Sequence, residues 1–269
     1  MTLPTLAGHW DAVYAARDET ALTWHQPVPQ PALDRITAHA APGDAIVDVG
    51  GGSARLVDAL LERGLGPVTV LDLSETALAQ SRQRLGRKAG DVTWIAADVT
   101  RWHPARRYAI WHDRAVFHFL TDDAARAAYL ARMQAALRPG GIAIISTFAA
   151  DGPETCSSLP VCRYSPESLS QTLERHLPGA LRQIEAGLHD HITPKGTVQR
   201  FQTSLFRRSD GQARGRRHAS AAMPAAAAPA SAASASLSEV SPVTPMAPIT
   251  RPSPSRSSTP PGTGTSWPP

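Results

Sequence analysis

The stretch Ile46-Val-Asp-Val-Gly-Gly-Gly-Ser-Ala-Arg-Leu56 decides the fold of this chain. β-Branched residues flank Asp48 and run into three consecutive glycines, and the segment from Ser53 to Arg63 has the pattern of a helix. The stretch therefore predicts a strand, a tight turn and a helix. Gly50 and Gly52 allow positive φ and close approach of a ligand, while the free N–H groups of the helix start attract polar or anionic groups. Such a turn is typical of a cofactor-binding loop.

The spacing within this turn separates two classes of ligand. The dinucleotide fingerprint G-x-G-x-x-G needs a third Gly or Ala at the position of Arg55. Written as acid-x-Gly-x-Gly, the segment Asp48–Gly52 instead resembles the first motif of class I S-adenosylmethionine-dependent methyltransferases, although Ala54 stands where that family often has another Gly. A nicotinamide-dependent oxidoreductase stays open as an alternative.

Two later segments repeat the pattern of a strand that ends in an acid. Residues 67–74 predict a strand that ends at Asp72, and residues 92–99 predict one that ends at Asp98. Asp72 follows Asp48 at close to the ~20-residue spacing at which an acid meets ribose hydroxyls in a βαβ nucleoside site. In an open parallel sheet, ligands bind outside the carboxyl ends of the strands, where all three acids would lie together.

The resemblance to class I methyltransferases implies cofactor roles for these positions. It implies that Asp72 accepts hydrogen bonds from the ribose hydroxyls and that Asp98, with the backbone of Val99, meets the adenine. The turn Arg138-Pro-Gly-Gly141 before an apolar strand extends the resemblance to residues 40–150. The implied cofactor is S-adenosylmethionine, and the implied activity is methylation. The predicted cofactor-binding residues are Asp48, Gly50, Gly51, Gly52, Asp72, Leu73, Asp98, Val99 and Trp24.

Strand and helix patterns alternate along the chain as far as two late strands joined by a turn at residues 193–196. We expect an α/β fold with a doubly wound, Rossmann-like, mostly parallel seven-stranded sheet that ends in an antiparallel hairpin. Beyond it the composition turns to Ala, Pro, Ser and Thr, which cannot form a core. The predicted segments are an N-terminal lid with helices (1–40), a methyltransferase domain (41–208) and a disordered tail (209–269).

Charge and cysteine usage exclude several classes of partner. The net charge of +4 falls mostly after residue 208, where five Arg face two acids. The nearly neutral remainder predicts no nucleic-acid binding, which needs a basic surface.

Cys156 and Cys162 have a C-x5-C spacing that fits neither a zinc pair nor a redox motif, and we expect no metal. Without a signal pattern or a long apolar run, we expect a cytoplasmic protein with no membrane contact. The oligomeric state is left open.

The catalytic candidates follow the predicted fourth strand. If Tyr108, Ile110 and His112 share one face, His112 packs under a helix and Asp113 faces the crevice. Both Asp113 and His112 are candidates, although methyl transfer needs a base only when the acceptor carries a proton, as a thiol or an amine does.

The acceptor site is predicted from the flanking segments. Trp24-His-Gln26 before a Pro-rich stretch, together with Asp113-Arg-Ala115, resembles thiol and thiopurine S-methyltransferases, and Asp113 also resembles the Asp after the fourth strand of some protein-lysine methyltransferases. We expect a small-molecule acceptor, for which a thiol is one candidate. The predicted substrate-binding residues are Trp24, Arg114, Phe117 and Arg163. The alternatives are a protein-lysine methyltransferase and a module that binds the cofactor without catalysis. Trp10 and Tyr14, at i and i+4, are predicted to pack in the core.

Overall fold

Seven strands within residues 5–210, the part of the chain that the computed structural model describes, form one sheet. These strands are β1 (Ile46–Val49), β2 (Val68–Asp72), β3 (Val92–Ala96), β4 (Tyr108–Arg114), β5 (Leu137–Phe148), β8 (Leu181–Ile192) and β9 (Val198–Arg208). Two short strands, β6 (Thr155–Cys156) and β7 (Leu159–Pro160), pair with each other. The α-helices are α1 (Leu6–Ala15), α2 (Ala32–His39), α3 (Leu56–Glu62), α4 (Glu75–Leu85), α5 (Asp123–Ala136) and α6 (Pro166–His176). Single 3₁₀ turns span Glu19–Ala21, Gly86–Asp91 and Phe117–Phe119.

The strand order is β3-β2-β1-β4-β5-β9-β8. The first five strands of this order are parallel, and β9 and β8 are antiparallel to their neighbours. The predicted seven-stranded fold class is therefore confirmed. The predicted tail lies, from residue 211 onward, outside the described residues, and the segment boundaries stay a prediction.

Apolar residues cover both faces of the sheet. On one face, Leu33 of α2, Leu60 of α3 and Leu78 of α4 pack against strand residues such as Ile46 and Ile110. On the other face, α5 and α6 pack against Trp111 and its neighbours. Burial on both faces explains the nearly continuous apolar runs of the central strands. No helix within the described range is both long and apolar enough to cross a bilayer.

Local sequence signals account for the helix starts near the site. The Ser74 hydroxyl accepts a hydrogen bond from the Ala77 N–H and so caps α4, where β2 ends. At α6, the hydroxyls of Ser165 and Ser168 each accept a hydrogen bond from the backbone N–H of the other, which forms a capping box around Pro166 at the first helical position. These caps fix where each helix leaves the carboxyl edge of the sheet.

The two faces of β4 do not follow a strict alternation from Tyr108. The pairing register with β5 shifts between Tyr108 and Ile110. As a result, Tyr108 and Trp111 face α5, whereas Ile110 faces α2 and α3. The prediction that Tyr108 shares a face with Ile110 and His112 is therefore wrong for Tyr108, whereas Ile110 and His112 do share one face as register partners of Ile46 and Asp48.

Candidate active site

A cavity lies at the carboxyl ends of β1, β2, β3 and β4, beneath the N-terminal segment. Ten predicted site residues line it: Trp24, Asp48, Gly50, Gly51, Asp72, Leu73, Asp98, Val99, His112 and Arg114. Four predicted site residues lie outside the lining: Gly52, Asp113, Phe117 and Arg163. The structure thus brings together residues from four strands that are far apart in the sequence.

The glycine turn leaves its backbone open to a ligand. Gly50 has φ of +69°, and a Cβ added there would overlap the side chain of Val116. At Gly51, a Cβ would lie 2.7 Å from Asp48 Oδ2. Gly52 has φ of +45° and no room for a Cβ, which would lie 2.6 Å from the hydroxyl of Tyr14. Only glycine fits this turn without movement of its neighbours, and the turn forms one wall of the cavity.

Two carboxylates line the cavity at the ends of β2 and β3. Asp72 is buried, and its Oδ1 accepts a hydrogen bond of 2.8 Å from the N–H of Ser74. Burial, with a smaller contribution from the nearby charge of Asp48, raises the pKa of Asp72 to about 7. Asp98 is half-buried, and its Oδ1 accepts hydrogen bonds from the N–H and the hydroxyl of Thr100, at 2.8 Å and 2.7 Å.

His112 forms a buried pair with Asp48. The two residues are register partners across β1 and β4, so their side chains lie on the same face of the sheet. Nδ1 of His112 lies 2.7 Å from Oδ1 of Asp48, and His112 is 3% exposed. Because a carboxylate only accepts, Nδ1 carries the hydrogen, and the lone pair of a neutral ring lies on Nε2. Nε2 has no hydrogen-bond partner among the described residues.

Asp113 does not face the crevice, contrary to the prediction from alternation. It is 0% exposed on the opposite face of the sheet. Its carboxylate accepts hydrogen bonds from the Tyr129 hydroxyl at 2.5 Å, from the Val116 N–H at 2.9 Å and from the Phe117 N–H at 3.1 Å. Burial raises the pKa of Asp113 to about 6, although these donors favour the ionised form. The contacts are those of a carboxylate that fixes the turn after β4.

Phe117 and Arg163 are also placed away from the cavity. Phe117 is 0% exposed and packs between the rings of Tyr129 and Tyr164. Arg163 pairs with Glu154 at 2.9 Å. Both corrections have the same cause, since short-range sequence patterns do not show where a loop side chain points.

Aromatic residues of the N-terminal segment form a roof over the cavity. The ring of Trp24 lies 5.8 Å from that of Tyr14 and 5.9 Å from that of Trp10, and Trp10 lies 5.3 Å from Phe119. All four line the cavity. Trp10 and Tyr14 therefore contribute to the site as well as to packing, and no sequence pattern assigned them or Phe119 to it.

An ionic latch, formed by Glu19, Arg55 and Arg84, fastens this roof to the glycine turn. Glu19 Oε1 lies 2.6 Å from Arg55 Nε, and its Oε2 lies 2.7 Å from Arg84 Nη1. Arg84, on α4, also donates to the backbone carbonyls of Ser53 and Ala54. The latch thus joins the 3₁₀ turn of the roof to the segment that carries the glycines.

Fold and site together define a class I methyltransferase: a seven-stranded sheet with a reversed final hairpin, a glycine turn after β1 and acids at the ends of β2 and β3. A family model described as a methyltransferase domain matches residues 46–141. The chain therefore carries a methyltransferase domain with the class I fold, the enzyme is an S-adenosylmethionine-dependent methyltransferase, and its cofactor is S-adenosylmethionine. The oxidoreductase and the non-catalytic alternatives are wrong.

Solved structures of methyltransferases share this fold. The 1,6-didemethyltoxoflavin-N1-methyltransferase of Burkholderia thailandensis is 25% identical, with a TM-score of 0.57 over 76% of this chain and 85% of that one. The N-methyltransferase NodS of Bradyrhizobium japonicum is 15% identical, with a TM-score of 0.57 over 76% and 99%. A structure solved for the conversion of a disulfide bond into a thioacetal group during echinomycin biosynthesis is 20% identical, with a TM-score of 0.62 over 78% and 95%. The comparison with curated proteins finds no significant match.

Proposed function

We propose that this enzyme methylates a small molecule whose nucleophilic atom carries a proton, with His112 as the general base. One observation carries the proposal. His112 is one of the residues that line the aromatic cavity, Asp48 holds its imidazole through Nδ1, and its buried Nε2 has no hydrogen-bond partner among residues 5–210. A general base needs this arrangement, with one nitrogen oriented and the other free for a substrate proton.

The residues that line the cavity fit the parts of S-adenosylmethionine. The glycine turn offers backbone without side chains, and the N–H groups that follow it attract polar groups. We propose that Asp72 and Leu73 meet the ribose and that Asp98 and Val99 meet the adenine. Asp48 and Gly50 would surround the remaining part of the cofactor, and Trp24 would cover it from the acceptor side.

The bound cofactor supplies a sulfonium-activated methyl group. Nε2 of His112 would take the proton that the acceptor atom loses when it is methylated. The carboxylate of Asp48 stabilises the resulting imidazolium. Trp10, Trp24 and Phe119 exclude water and hold the acceptor in line, and such positioning is worth about 7–11 kcal/mol.

The closed roof supports a small acceptor over a protein. An extended peptide would need an open groove, whereas aromatic rings cover this cavity. The Burkholderia thailandensis enzyme binds 1,6-didemethyltoxoflavin together with S-adenosylhomocysteine. The protein-lysine alternative depended on an Asp113 that faces the crevice, and Asp113 is buried behind the sheet.

A labelled-methyl assay tests this proposal. The enzyme is incubated with labelled S-adenosylmethionine and a panel of thiols, amines, phenols, carboxylates and whole-cell lysate. We expect label in one or more small molecules of the panel. Label confined to lysate protein would contradict the small-molecule assignment.

Affinity for S-adenosylhomocysteine should depend on the charge of Asp72. Because the folded pKa is about 7, the native protein holds this proton to higher pH than the unfolded chain does, and the stability of the empty protein falls as pH rises from about 4 to 7. Ribose hydroxyls favour the ionised form, so affinity should rise about tenfold from pH 6 to pH 8. Calorimetry across this range measures it.

The matched variant Asp72→Asn should bind weakly at every pH, because its side chain stays neutral. The control Asp98→Asn keeps Asp72, so its affinity should still rise from pH 6 to pH 8. A pH-independent affinity in the wild-type protein would contradict the ribose role of Asp72.

Trp24→Ala should lower turnover at least about tenfold, because it removes the roof that excludes water and orients the acceptor. The affinity for S-adenosylhomocysteine should change by only a few-fold, since the glycine turn and Asp72 are untouched. Steady-state kinetics and calorimetry measure the two effects, with Trp94→Phe on β3 as the control. Unchanged turnover would place the acceptor elsewhere.

A further inference from the structure

The cavity is lined by two arginines, and they differ in their partners. Arg55 pairs with Glu19. Arg114 has no carboxylate partner among the residues that the structure describes. Its Nη1 donates to the backbone carbonyl of Trp24 at 3.1 Å, whereas Nε and Nη2 are shielded from solvent and have no hydrogen-bond partner within residues 5–210.

The groups around this guanidinium do not neutralise it. Its carbon Cζ lies 5.1 Å from the centroid of the Phe201 ring. Burial raises the pKa of the neighbouring Cys156 thiol to about 11 and lowers that of His118 to about 3, so both are neutral at pH 7. Asp48 is held by His112. A shielded cation without an anion is costly, and here burial lowers the pKa of Arg114 to about 10.

The position of Arg114 in the sheet assigns it to the acceptor side of the cavity. Asp72 and Asp98 end β2 and β3, on one side of β1, whereas Arg114 ends β4 on the other side. Its side chain contacts the roof at Trp24 and the ring of Phe201 on β9, farther still from the adenosine side. The guanidinium therefore lies where an acceptor would enter.

We propose that the acceptor carries a carboxylate and that Arg114 binds it. This inference rests on the methyltransferase function proposed above and narrows its substrate class to small acids with an apolar or aromatic body. A guanidinium fork pairs with the two oxygens of a carboxylate, and the pair gains strength where water is excluded. Binding would supply the missing partners of Nε and Nη2.

Benzoate and benzamide, which differ in charge but not in shape, test this inference as probes. Their affinities are measured by calorimetry with the enzyme saturated with S-adenosylhomocysteine. We expect the wild-type enzyme to prefer benzoate by at least about tenfold, as for a charge-assisted hydrogen bond. In Arg114→Met the preference should fall to within about twofold. The control Arg138→Met, at a surface arginine that pairs with Asp44, should keep it.

Three outcomes would overturn the inference. The wild type could show no preference for benzoate, the preference could survive in Arg114→Met, or Arg114 could bind the carboxylate of the cofactor instead of that of the acceptor. If Arg114 holds the carboxylate of the cofactor instead, Arg114→Met weakens S-adenosylhomocysteine but not 5′-methylthioadenosine, which lacks that group. If Arg114→Met does not fold, Arg114→Lys replaces it, because lysine keeps the charge but lacks the two parallel donors of the guanidinium. An unchanged preference of Arg114→Lys for benzoate over benzamide would contradict the inference. Failure of the wild type to bind S-adenosylhomocysteine would instead refute the function itself.

Discussion

His112→Ala should lower kcat by about 10²–10⁴-fold, the usual contribution of a general base. The glycine turn and Asp72 are unchanged in this variant, so the affinity for S-adenosylhomocysteine should stay within a few-fold. Single-turnover kinetics over pH 5–9 measure the effect.

The control for this variant is His103→Ala. His103 is exposed and hydrogen-bonds to Arg132, away from the cavity. A wild-type rate in His112→Ala would show that the acceptor needs no base, or that another group removes the proton. Loss of rate together with loss of cofactor affinity would point to a structural role for the His112–Asp48 pair.

Asp113→Ala should act on stability, with a loss of about 3 kcal/mol or more, because it leaves buried donors without an acceptor. The orphaned groups are the hydroxyl of Tyr129 and the N–H groups of Val116 and Phe117. Urea unfolding measures the loss. Asp151→Ala, at an exposed acid that pairs with Arg200, should change the free energy of unfolding by at most about 1 kcal/mol.

His112 and Asp113 are adjacent on β4, yet we expect His112→Ala to lower the rate and Asp113→Ala to lower the stability. If Asp113→Ala folded with wild-type stability and lost only its rate, the catalytic role first assigned to Asp113 would be restored. Kinetics at a temperature well below the melting point of the variant keep the two effects apart.

The fold and the cofactor side could be predicted because their signals are local. Asp48 and the three glycines follow one another within one turn, and Asp72 and Asp98 each end an apolar run. A parallel sheet then gathers strand ends at one edge, whatever the helices between them contain. For this reason the residues of the cofactor side could be assigned to one cavity without any tertiary information.

The acceptor side could not be predicted in this way because its geometry depends on register and on loop paths. A shift in pairing puts Tyr108 on the face opposite Ile110 and His112, and alternation does not show which of the two helix-covered faces opens on the cavity. Trp10 and Tyr14 have the spacing of an ordinary packed helix, and only the fold of the N-terminal segment places them over the cavity. Phe119 enters the lining through a 3₁₀ turn that has no periodic signal.

Because the ionic latch holds the roof closed, the exchange of ligands requires that the ion pairs of Glu19 be broken. For the roof to open, Glu19 must leave the guanidinium groups of Arg55 and Arg84, and both of these cations lie beside the glycine turn. Salt weakens such half-buried attractions and so lowers the cost of opening. The residence time of the spent cofactor should therefore shorten as ionic strength rises, while the methyl-transfer step inside the closed cavity is unaffected.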